Sequence, residues 1–81
     1  MNIETIKYDR VCHVFDSDNV ESISYSIESK VFLVRFSNTS EYRYYGVPMN
    51  VWANVVGAAS IGKAFNHFVS KADFSYERVD I

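Results

Sequence analysis

The side chains of this chain that could do chemistry fall into three small sets. Arg35, Arg43 and Tyr45 would offer two cations and an aromatic ring to an anionic, base-bearing ligand. Ser60-Ile-Gly-Lys63, with Asn66 and His67 just beyond, would present a helix start to a phosphate or carboxylate. There a serine caps the helix, a glycine lets the anion come close, and a lysine adds charge. Cys12, His13 and His67 are the types that serve as nucleophile and base. Each set has a plainer alternative. Scattered arginines are ordinary surface charge, Ser60 and Gly62 can be a cap and a close-packing position, and Cys12 suits a small buried apolar site.

Catalysis by the third set is not expected. Cys12 and His13 are adjacent, so on a strand they point to opposite faces. The chain has no Gly-x-Ser-x-Gly nucleophile turn. Two histidines and one cysteine lack metal-ligand spacing. The phosphate-loop pattern Gly-x-x-x-x-Gly-Lys-Ser/Thr is also absent. The expectation is a non-catalytic chain with no cofactor and no metal.

These residues must be positioned by a sheet and by helices. Residues 20–27 alternate, with Ile23, Tyr25 and Ile27 on one face and Ser22, Ser24 and Ser26 on the other. Such alternation is the pattern of a half-buried antiparallel strand. A turn at 28–30 leads to residues 31–36, which group Phe32, Val34 and Phe36 opposite Leu33 and Arg35. A second turn at 37–40 leads to residues 41–45. Here Tyr42 and Tyr44 join the inner face, opposite Glu41, Arg43 and Tyr45. Tyr25, Tyr42 and Tyr44 are thus expected in the core, and Tyr45 beside Arg35 and Arg43 outside.

Gly46-Val-Pro48 ends the sheet, with proline suited to the first helical position. Val51, Trp52, Val55, Val56 and Ala59 then form one helical face, with Gly57 weakening its end. Beyond the Ser60 cap, Ile61, Ala64, Phe65, Phe68 and Val69 form another, with Lys63, His67 and Lys71 on the exposed side. Residues 11–15 can form a short edge strand, closed by a turn at 16–19. Residues 74–79 can form a last strand or an ordered extension. The expected fold is α+β, a three- to four-stranded antiparallel β-meander packed against two α-helices in the C-terminal half, as one domain over residues 1–81.

Composition sets bounds on this reading. A chain of 81 residues buries only about 60% of its unfolded surface, so its core is thin. Hydrophobic residues at 48% and aromatic residues at 16% compensate, although self-association remains open. The single cysteine excludes an intrachain disulfide and fits a reducing compartment. No apolar run approaches membrane-spanning length, and no basic-then-apolar leader pattern is seen. A soluble cytoplasmic protein without a membrane partner is expected. The net charge of −2 hides an asymmetry. Acidic residues outnumber basic ones within 1–30 and 72–81, whereas Arg35, Arg43, Lys63 and Lys71 face only Glu41 within 31–71. A basic middle suits an anionic ligand, though four scattered cations leave a weak footprint.

Over roughly residues 19–71 the chain resembles the KTSC domain family, named for its occurrence at the C-terminus of some lysyl-tRNA synthetases. Ile23 and Tyr25 match its first strand, and Phe32, Val34 and Phe36 its hydrophobic-x-Val-x-Phe strand. Tyr42, Tyr44, Val47 and Pro48 match its Tyr-x-Tyr-x-x-Val-Pro core. Ala59, Ser60, Gly62, Lys63, Phe65 and Asn66 match its Ala-x-Ser-x-Gly-x-Phe-Asn close, except that Ala59 here directly precedes Ser60. The family commonly has a glycine in the turn before Tyr-x-Tyr, where this chain has Asn38-Thr-Ser40. Residues 1–18 and 72–81 lie outside the resemblance. The resemblance implies a fold, and it suggests a nucleic-acid connection in a bacterial or phage protein.

Two functional expectations follow. One is a binding module for nucleic acid or a nucleotide-like anion, using Arg35, Arg43, Tyr45, Ser60, Gly62, Lys63, Asn66 and His67. The other is a protein-interaction module that engages a host factor, as a phage or mobile-element protein would.

Overall fold

A computed structural model of the chain describes residues 6–15 and 17–79. The strands are β1 (Arg10–His13), β2 (Val20–Ser26), β3 (Val31–Phe36), β4 (Glu41–Tyr45) and β5 (Ser75–Val79). They form a single antiparallel sheet in the order β1-β2-β3-β4-β5. The helices α1 (Met49–Val56) and α2 (Ile61–Phe65) lie between β4 and β5, and α2 continues into a π-helical turn, Asn66–Ser70.

The α+β class and the two helices agree with the sequence, but the strand count does not. Five strands are present where three to four were expected, because residues on both sides of the meander add an edge. These edge strands are mostly exposed, so they lack the inside-outside contrast that marks β2, β3 and β4. The turn expected at 16–19 includes residue 16, which lies outside the described residues, as do 1–5, 80 and 81.

Register brings the apolar sets together. Ile23 faces Val34, Tyr25 faces Phe32, Phe32 faces Tyr44, and Val34 faces Tyr42. The helices pack on this face. Trp52 stacks on Tyr25 at 5.7 Å between ring centroids and meets Phe32 edge-on at 5.6 Å. Phe65 packs on Phe32, Phe36 and Tyr44. Tyr25 also donates a buried 2.6 Å hydrogen bond from its hydroxyl to the carbonyl of Val47, which ties the sheet to the entry of α1. Cys12 is half-buried and packs against this core, whereas Ile27, expected inside, lies in the turn after β2 and is exposed.

Three local features depart from regular geometry. Pro48 is the N-cap of α1, one residue ahead of its expected place. The π-helical turn closes with a bond from the Lys71 N–H to the Asn66 carbonyl, an i→i+5 span. That wider turn keeps Val69 buried and carries Phe68 outward, where a regular helix would have kept both on the inner face. In the β3–β4 turn Thr39 adopts φ 72°, the left-handed conformation that glycine takes most easily.

Candidate binding groove

The sheet divides the candidate residues that sequence reasoning grouped. Arg35, Arg43 and Tyr45 sit on the face away from the helices, and Ser60, Gly62, Lys63 and Asn66 sit on the helix side. His67 is exposed and lies edge-on to Phe68, apart from both groups.

On the outer face the charges are largely answered from within. Arg35 Nε lies 3.8 Å from Glu41 Oε2, and the Tyr45 hydroxyl donates to Glu77 Oε1. Residues 6–9 run across this face. Tyr8 lies against Arg43, and Asp9 Oδ2 accepts from the Ile27 N–H at 3.1 Å. Burial pushes the Tyr8 hydroxyl up, with Arg43 pulling the other way. For Arg43, burial acts downward, but the Tyr45 and Tyr8 hydroxyls outweigh it and hold the guanidinium charged. Arg43 is therefore a buttress between two tyrosines rather than an open cation.

On the helix side, Ser60 caps α2 by accepting from the Lys63 N–H at 3.4 Å. A side chain at Gly62 would meet Ser17 Oγ at 2.9 Å and Ser17 Cβ at 3.0 Å. Gly62 thus admits the 17–19 loop rather than leaving room for a ligand at the helix start. Ser17 Oγ in turn accepts from the N–H groups of Asn19 and Val20, which fixes that loop. Between the loop and α2 runs a groove of about 560 Å³, with Ser60, Lys63 and Asn66 on one side and Asp18 and Asn19 on the other. The Lys63 ammonium forms no ion pair among the described residues.

A second groove of about 600 Å³ meets the first at Asn19 and Phe36. Tyr42, Tyr44 and Tyr76 line it, with Asn38, Ser40 and Ser70 at its rim. It exists because the helical layer stops short of β5. Trp52 and Phe65 cover β2, β3 and part of β4, while the ring contacts of Tyr42 and Tyr76 are all with other sheet residues. Tyr44 is buried as expected, Tyr42 is half-buried, and Tyr76 is 62% exposed. Burial pushes the Tyr44 hydroxyl up, and a hydrogen bond from Ser70 acts against it.

Sequence reasoning missed this second groove. Its signal was present in the alternation of residues 74–79, which puts Tyr76 opposite Tyr44 once they are read as a strand. Among the described residues no group of three or more His, Cys, Asp and Glu could hold a metal ion.

Comparison with known proteins adds a family context. The family described as KTSC domain matches residues 16–74. An uncharacterized protein of Stutzerimonas stutzeri (strain A1501) is 33% identical over 64 residues, covering 79% of this chain and 90% of its own. The crystal structure of a KTSC domain protein from Yersinia pestis is similar with a TM-score of 0.73 and 25% identity, over 88% of this chain and 100% of its own. The matched span takes in the 17–19 loop but ends before Tyr76.

Proposed function

The chain belongs to the KTSC domain family, and from that premise we propose that it is a small non-catalytic module that binds nucleic acid or a nucleotide-like anion. The observation that carries this reading is the pair of adjoining grooves that share Asn19 and Phe36, with Lys63 in one and three tyrosine rings in the other. A cation for phosphate beside flat rings for bases is how single strands are held without sequence readout. Asp18 shares the lysine groove, so the contact expected there is one phosphate-like group and not a charged track. A synthetase-linked or phage setting, and a cytoplasmic location, belong to the same proposal and rest on the resemblance and the lone thiol. Among the described residues no helix is long and apolar enough to cross a membrane.

The test is a titration with labelled single-stranded RNA and DNA at stepped salt. Binding should weaken as salt rises, with a log-log slope of about 0.7 per phosphate contact. Lys63→Glu should abolish that dependence, while Arg43→Glu, on the opposite face, should leave it intact. An affinity indifferent to both salt and Lys63→Glu would overturn the reading.

A second reading, a protein-interaction module, draws on the β1 edge, where Val11 is 60% and Phe15 94% exposed. Exposed apolar side chains beside a strand edge that no described residue pairs suit a protein partner or a second copy of the chain. Salt-independent capture of a protein, unaffected by Lys63→Glu, would select it.

A further inference from the structure

We propose, resting on the nucleic-acid reading above, that the tyrosine-lined groove is a stacking subsite for one unpaired base, with Tyr76 as the ring on which it lies. The Tyr76 ring stands 5.4 Å from Tyr44 and 6.0 Å from Tyr42, tilted by 32° and 39°. These are contact distances, so the three rings form one contiguous aromatic wall, and the Tyr76 ring, 62% exposed, offers the face on which a base can lie. Two of the rings are rigid. Tyr44 packs edge-on against Phe65 at 5.8 Å, and Phe36 meets Tyr42 edge-on at 5.6 Å while also resting on Phe65. A base lying on Tyr76 is backed by Tyr42 and Tyr44, which the core already orders, so the freedom lost on binding is chiefly that of Tyr76 itself.

The polar groups at the rim have a definite sense. Asn38 Oδ1 accepts from the Ser40 N–H at 3.1 Å and from Ser40 Oγ at 2.6 Å. A backbone N–H can only donate, so this assigns the oxygen and leaves the amide NH2 of Asn38 as the uncommitted group. It offers two donors to a ring carbonyl or ring nitrogen. The lining is aromatic and uncharged at this end, with Arg78 at the register position opposite Tyr42, and it carries Lys63 beside Asp18 at the other. Tyr76 belongs to β5, beyond the residues that match the family model, so the subsite takes in a strand that the match does not reach.

The experiment compares binding of a short single-stranded oligonucleotide with that of an abasic oligomer of the same length, using the full chain. The base-bearing strand should bind roughly 5- to 150-fold more tightly, the range expected for one base stacked on an aromatic ring. Tyr76→Ala should remove that difference and Tyr76→Phe should keep it. The ring protons of Tyr76 and Tyr42 should shift in NMR spectra on addition of the base-bearing strand only. Tyr76 is largely exposed on an edge strand, so folding of both variants is checked by the unchanged resonances of the Trp52 cluster. Equal binding of both oligomers with salt dependence intact would overturn the base subsite and leave the phosphate contact standing. Binding of neither would overturn both. Selective binding of an oligosaccharide at the same rings would replace the base with a sugar and equally overturn the proposal.

Discussion

Thr39 occupies a backbone conformation that its own side chain disfavours. A β-branched residue at φ 72° is strained by about 1–2 kcal/mol relative to glycine, which pays instead in the unfolded chain. Thr39→Gly should therefore stabilise the protein by about 0.5–1 kcal/mol, raising Tm by several degrees. A lowered Tm in thermal unfolding would show that the turn draws support from the threonine side chain. The sequence announced this site through the missing glycine before Tyr-x-Tyr, but not which of Asn38, Thr39 and Ser40 would take the strained position. Gly62 was legible only in half. Its lack of a side chain called for a close neighbour, and the neighbour is Ser17, from a loop no periodicity could place.

At the level of elements, the π-helical turn separates two phenylalanines that a regular helix treats alike. Phe65 is 4% exposed and joins the aromatic core, while Phe68 is 37% exposed. Phe65→Ala should cost about 3–5 kcal/mol, and Phe68→Ala, partly covered, should cost clearly less, about 1–2 kcal/mol, read from chemical denaturation. Equal costs would restore the regular helical phase. The strands β2, β3 and β4 were readable because each has one face against the helices and one toward water. For β1 and β5 that contrast fades at the sheet margins, and their identity comes from pairing, which a single strand does not display. The same limit hid the groove. Parity placed Tyr42 and Tyr44 on the correct face, but how far two short helices extend across five strands depends on where they cross the sheet.

Across the whole molecule, the fold carries an unusual load of shielded phenols. Burial raises the hydroxyls of Tyr8, Tyr25 and Tyr44, and for Tyr45 the hydrogen bond to Glu77 leads burial in doing so. Each is harder to ionise folded than unfolded, so the unfolded chain releases these protons first as pH rises. The stability they contribute is fully present below pH 10.0 and is lost above it. Urea unfolding at stepped pH should give a flat tyrosine contribution from neutrality to about pH 9 and a steep fall beyond pH 10, coincident with tyrosinate absorbance. Stability that rose through that window would contradict the burial of these groups.

The passage from β4 to β5 through both helices also has a kinetic meaning. The β2–β3 and β3–β4 hairpins close short loops, whereas β5 can pair with β4 only after residues 46–74 have been laid down. Strand β5 is thus the natural late arrival in folding and the natural early departure in partial unfolding. Because β5 brings Tyr76, this order places the meander ahead of the proposed base subsite. A ligand held by that tyrosine would act as a latch, drawing the last strand home and slowing its release.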